Sequence, residues 1–134
     1  MLTISKSQLE NIGRERFIDK ADAALAVRVP EWAASPPADR RHFIALCLER
    51  GERYGLLSEQ SVMAYALGAV WLGMGFEEES PLLMQLLRAP MPELRKAHGL
   101  SEWVGDQIGP HATPESGDAA IRRSFMLTTP WGRF

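Results

Sequence analysis

The feature that most constrains this chain is an uncharged apolar run in its middle. From Val62 to Phe76 no side chain carries a charge, and Val62, Met63, Tyr65, Ala66, Leu67, Ala69, Val70, Trp71 and Leu72 leave no polar stripe. A helix built from such residues has to be covered on every side by other helices. The run spans 15 residues and contains three glycines, whereas about 20 apolar residues are needed to cross a bilayer. It therefore reads as a buried core helix and not as a membrane span. Ser58 is placed to accept hydrogen bonds from the first free backbone amides, with Glu59 at the positive end of the helix dipole. Gly73 and Gly75 can take the left-handed conformation that closes the helix.

The expected fold is all-α: a small bundle of about five to six helices around this central hydrophobic helix, followed by a C-terminal tail. At 134 residues the chain is long enough to bury a core without disulfide or metal support. Residues 1–109 read as the helical bundle, and 110–134 as a C-terminal loop and aromatic tail. Basic and acidic residues are nearly balanced in both halves, with a net charge of −2, which argues against a nucleic-acid or anionic-membrane partner. The single cysteine, Cys47, excludes an internal disulfide and suits a buried thiol in a reducing compartment. The N-terminus lacks the basic start, apolar centre and cleavage site of a secretory signal, so a cytoplasmic location is expected.

In chain order, Ser5 and Gln8 form a capping pattern for a first helix, with Leu9, Ile12, Phe17, Ala21, Ala24 and Leu25 on its apolar side. It should end near Val29, because Pro30 disfavours helical geometry in the residue before it. Trp32 is the one large apolar group of the connector and is expected to lid the core. Ser35-Pro36 starts a second helix through Phe43, Ile44, Cys47 and Leu48, stopping around Gly51 to Gly55. This helix and the central one have the outline of a helix-turn-helix. A DNA-reading second helix needs basic or polar groups for base edges, and this one has no lysine or arginine.

Ser80-Pro81 opens a further helix whose buried side is Leu82, Leu83, Leu86 and Leu87, stopped by Pro90 and Pro92. A short segment from Glu93 to His98 should end at Gly99, and Ser101 should cap another carrying Trp103, Val104 and Ile108. The stretch from Gly109 to Asp118 reads as a loop. Beyond it Phe125, Trp131 and Phe134 can each bury on the order of 150–250 Å². They should dock, either back on the bundle or, as the sharper expectation, as anchors on a partner with Arg122 and Arg123 at the rim. Glu77, Glu78 and Glu79 form an acidic trio suited to a helix N-terminus, a solvated surface or a basic partner.

No catalytic constellation is apparent. His42, His98 and His111 lie far apart, with no HExxH, CxxC, GxSxG or phosphate-loop pattern. No histidine or aspartate lies near the acidic trio to complete a metal shell, so neither metal nor cofactor is expected.

Three short stretches carry a resemblance. They are Leu2, Thr3, Ile4 and Gln8 at the start; Arg53, Tyr54, Gly55, Leu56, Ser58 and Glu59 in the middle; and Gly73, Gly75 and Phe76 after the central helix. In this order they resemble a family of small helical accessory proteins encoded in bacterial type VI secretion effector clusters. The likeness covers roughly residues 2 to 100. It departs at Glu77, where an aspartate is usual, and in the tail. It implies a cytoplasmic, non-enzymatic interaction module, an accessory protein or co-chaperone that binds a secreted effector or its adaptor. The alternative is an immunity protein that neutralises a toxin domain. A small hydrolase would instead require a deep pocket where polar side chains converge.

Overall fold

A computed structural model describes the backbone of residues 6–128 and the side chains of residues 12–125. Six α-helices make up the described residues: α1 (Lys6–Arg28), α2 (Pro37–Arg53), α3 (Glu59–Leu72), α4 (Pro81–Arg88), α5 (Glu93–Gln107) and α6 (Pro114–Thr128). The expected all-α class is thus what the chain adopts. Two compact units divide at residues 46 and 47, within α2. The capping pair Ser5–Gln8 and the side chain of Leu9 lie outside the described residues.

In the first unit α1 ends at Arg28, one residue before the pre-proline Val29, as steric exclusion before Pro30 requires. Phe17, Ile18, Ala21, Leu25, Val29 and Trp32 are buried, while Ile12, expected on the apolar face, is 42% exposed. Trp32 sits in a short 3-10 turn and is held by chemistry as well as by burial. Its Nε1 donates to Asp22 Oδ1 at 2.7 Å, an oxygen that also accepts from Arg40 Nε at 3.0 Å. The Arg40 guanidinium donates as well to the carbonyls of Ala33 and Ser35 and so ties down the connector. Arg41 pairs with Glu15 and Asp19 on α1. α2 begins at Pro37, where a missing amide hydrogen costs nothing in the first turn, and not at the expected Ser35-Pro36.

The second unit is built on α3 and α5. Ser58 caps α3, its Oγ accepting from Ser61 N at 3.2 Å, and Gly73 closes the helix at φ 97°. Ser80 caps α4 in the same manner, accepting from Leu83 N at 3.0 Å. α5 is one continuous helix through Gly99, not two segments. Gly99 acts by its size. A Cβ there would lie 2.5 Å from Leu86 Cδ2 and 3.2 Å from Phe125 Cε2, so the glycine lets α4 and α6 reach α5. The stretch read as loop up to Asp118 is helical from Pro114. Its cause is a reciprocal cap, with Thr113 Oγ1 accepting from Ser116 N at 3.0 Å and Ser116 Oγ accepting from Thr113 N at 2.9 Å.

Three contacts set the direction of the helices. Glu93, which opens α5, binds the amides that open α3; further along, Gly68 of α3 faces Val104 of α5. The two helices therefore run parallel. Gly117 faces Trp103 while Phe125 faces Gly99, so α6 runs antiparallel to α5. Among these contacts Gly68 is the tightest on α3. An added Cβ would stand 2.5 Å from Phe76 Cζ and 2.8 Å from Val104 Cγ2, against a ring that stacks on Trp103 at 6.0 Å. Gly68→Ala should destabilise the fold by about 2 kcal/mol through overpacking, to be read in urea unfolding; an unchanged midpoint would show that the seam has slack.

Candidate functional site

Two features of the second unit stand out, one sealed and one exposed. The sealed one is Glu77, fully buried at 0% exposure. After Gly73 the chain turns, passes Gly75 at φ 85° and enters a 3-10 turn over Phe76–Glu79. That turn carries Phe76 onto Gly68 and the Glu77 carboxylate between two tyrosines. Tyr54 Oη donates to Oε2 at 2.8 Å, and Tyr65 Oη donates to Oε1 at 2.8 Å. Arg50 Nη1 lies 3.5 Å from Oε2 and 3.8 Å from Glu78 Oε1. Burial, followed by the hydrogen bond to Glu77, pushes both tyrosine hydroxyls above their ordinary pKa. They remain neutral donors, as a buried carboxylate requires. Cys47 is also fully buried, and burial pushes its thiol up to about 12, with the Glu77 charge adding to the shift. It is a packed thiol and not a thiolate.

Glu77 is therefore no part of a solvated acidic face, a correction to its reading as a partner-binding residue. Its two tyrosines and arginine come from positions 23, 12 and 27 residues earlier in the chain. Glu78 and Glu79 are exposed. Phe125 is corrected too. It is 3% exposed and packs against Gly99 of its own unit, because α6 continues the bundle: at Phe125 the chain folds back on itself and does not offer a partner anchor. Arg122 and Arg123 are exposed on α6. Trp131 and Phe134 lie outside the described residues.

The exposed feature is Trp71, at the end of α3 itself. The core side of this helix carries Ser61, Val62, Tyr65, Ala66, Gly68 and Ala69. Met63, Leu67, Val70 and Trp71 recur at three- and four-residue spacing on the opposite side, the first three half-buried and Trp71 51% exposed. The helix is thus not covered on every side, contrary to the expectation from its uniform composition. Ile108, at the end of the parallel α5, is also 51% exposed. It lies one turn beyond Val104, as Trp71 lies one turn beyond Gly68. Trp71 and Ile108 thus mark the same end of the helix pair. Leu57 and Leu94, 70% and 62% exposed, mark the other.

That other end is fixed by charge. Glu93 Oε1 accepts from Leu57 N at 2.7 Å and Ser58 N at 2.6 Å. Lys96 Nζ, buried, donates to the Tyr54 carbonyl at 3.0 Å, a cation at the C-terminus of α2. A shallow depression of 290 Å³ beside α4 is lined by Pro81, Met84, Gln85, Arg88 and Ala89. Among the described residues no three His, Cys, Asp or Glu side chains converge to hold a metal ion, and no described helix is long and apolar enough to cross a membrane. Neither protein-family models, nor curated proteins, nor solved structures give a match to this chain.

Glu77→Ala should lower stability by about 3 kcal/mol or more, since it strands two buried hydroxyls and an arginine. Glu77→Gln, which keeps an acceptor, should cost less. Chemical unfolding of both variants separates the two effects, and equal losses would mean that the charge, not the hydrogen-bonded acceptor, is what the site requires. The Ser58 and Leu57 amides hold the Glu93 carboxyl below the usual carboxylate range. A depressed folded-state pKa gives stability that is complete above the unfolded value and disappears as pH falls through the folded one. Stability should decline below about pH 4, and Glu93→Gln should cost about 1 kcal/mol at neutral pH and flatten that acid limb. Urea midpoints across pH test this, and an identical acid limb in the variant would refute it.

Proposed function

We propose that this protein is a non-enzymatic interaction module that binds another protein through the Trp71–Ile108 end of the α3–α5 pair. The reading rests on one observation: Trp71 stands 51% exposed on a helix whose outer side is apolar from Met63 to Trp71. Tryptophan is enriched among residues that carry binding energy, and contiguous exposed apolar surface marks contact sites. The most conspicuous ionisable cluster, Glu77 with its tyrosines, is closed to solvent and has its carboxylate satisfied by the protein's own donors. It therefore suits support of the surface better than chemistry on a substrate.

Within that reading, the biological role we propose is the one implied by the short motifs around Tyr54-Gly55 and Gly73–Phe76: an accessory protein or co-chaperone for a type VI secretion effector or its adaptor. The exposed Glu78 and Glu79 also favour a second role, an immunity protein set against the basic site of a toxin. Co-expression distinguishes them, since rescue from a toxic neighbour without an effect on secretion supports immunity and the reverse supports loading.

Co-purification with the products of adjoining genes tests the shared claim. The unaltered chain should retain one of them, and Trp71→Ser should weaken retention at least about tenfold while the circular dichroism spectrum stays helical. Retention of none, or retention indifferent to Trp71, would overturn the proposal.

A further inference from the structure

Charge is even along the chain but not across the second unit. No lysine or arginine occurs between Arg53 and Arg88, or between Lys96 and Arg122. Leu86 of α4 lies against Gly99 while Ser80 shares Asp118 with Trp103, so α4 as well as α6 runs antiparallel to α5. With α3 parallel to α5, the middle of each basic-free stretch falls at the end that carries Trp71 and Ile108. Glu78 and Glu79 follow α3 there, Asp106 lies in the last turn of α5, and Glu115 and Asp118 lie in the first turns of α6. Arg53, Arg88, Arg95 and Lys96 belong to the opposite end. Among the described residues of this unit, Arg50 is the basic side chain recorded reaching toward the acidic end, at 3.8 Å from Glu78.

These carboxylates are not neutralised by their hydrogen bonds. Asp118 accepts from the Ser80 hydroxyl at 2.6 Å and the Trp103 indole at 3.2 Å. Asp106 accepts from the Ser116 hydroxyl at 2.5 Å and the Gln107 amide at 3.2 Å. All four donors are neutral, so the negative charge remains. Nor do the helix dipoles cancel it: α3 and α5 end at this face while α4 and α6 begin there, so the two positive termini are offset by two negative ones. The exposed tryptophan and isoleucine are left beside a surplus of negative charge.

We infer, building on the interaction reading above, that this end takes a basic amphipathic segment of a partner polypeptide, with a large apolar side chain flanked by lysine or arginine. The apolar group covers Trp71 and Ile108, and the flanking cations meet Glu78, Glu79 and Asp106. A second copy of the chain is the poorer occupant, because joining like ends would set carboxylates against carboxylates. Anionic lipid and nucleic acid are repelled for the same reason.

The test uses the full chain, labelled with ¹⁵N, and two synthetic helical peptides sharing one leucine pattern, one with lysine and the other with glutamate at the remaining positions. The lysine peptide should bind, shift the Trp71 indole resonance and weaken as salt rises. Its affinity should fall about tenfold in the Glu78→Gln/Glu79→Gln variant and at least about tenfold in Trp71→Ser. Leu94→Ala, at the far end, should leave it unchanged. Equal binding of the glutamate peptide, no binding of either, or a lysine-peptide footprint centred on Leu57 and Leu94 would overturn the inference. So would Trp71-dependent dimers in sedimentation. If either result came with Trp71-dependent co-purification still intact, the surface would stand and only the charge of its partner would be wrong; loss of that co-purification would sink the surface as well.

Discussion

The second unit depends on satisfying one buried negative charge. Removing a carboxylate from water costs several kcal/mol even after relaxation, and a fully buried Glu77 is tolerable only because two tyrosine hydroxyls and Arg50 reach it. Tyr54 follows α2 directly, Tyr65 comes from the middle of α3 and Glu77 from the 3-10 turn, so one set of hydrogen bonds fixes three segments. No apolar contact would do the same. The hydrophobic effect is non-directional, whereas a buried acceptor left without its donors is penalised at once. This gives the turn over Phe76–Glu79 one permitted position and places the acidic residues that follow Glu77.

Size complements this charge. Gly68, Gly99 and Gly117 each occupy a helix contact where an added Cβ would fall within 2.6 Å of a neighbour, and aromatic or leucine side chains fill the space they leave. Phe76 lies 5.1 Å from Tyr65 and 6.0 Å from Trp103. Burying Trp103 requires a partner for its indole N–H, and Asp118 of α6 provides one at 3.2 Å while also accepting from Ser80 at the head of α4. Polar and apolar contacts thus specify the same arrangement of α4, α5 and α6.

Where the controlling physics is local, the sequence was legible: Ser58 and Ser80 as caps, Pro30 as the limit of the first helix, and Gly73 as the end of the third all act within a turn of their own position. Where it is non-local, the reading failed. Gly99 reads as a terminator because glycine commonly ends helices, but its φ is not positive and its role is set by Leu86 and Phe125, distant in sequence. The start of α6 is an exception among local signals: the Thr113–Ser116 cap acts within one turn, yet the Gly, Pro and Ser content of residues 109–118 reads as loop. Glu77 looked like its two acidic neighbours, and only the tyrosines brought to it by folding distinguish it. Trp71 was hidden for a different reason. In a helix apolar all round the hydrophobic period vanishes, and with it the information about which side faces inward.

That loss of period bears on what the helix is for. A bundle helix needs only one apolar side, and the core side of α3 uses small residues, Ala66, Gly68 and Ala69, to approach its neighbours. Tyr65 and Val62 fill the space between these on the same side, while Met63, Leu67 and Val70 on the other are half-buried and Trp71 is exposed. Folding already removes most of the area of Met63, Leu67 and Val70 from water, and Trp71 is the one left with about half of its surface exposed. The unrealised hydrophobic free energy, which scales with that area, is therefore concentrated there. The apolar composition of α3 is thus explained by burial on both sides up to Val70, and Trp71 is the position that the fold itself does not explain.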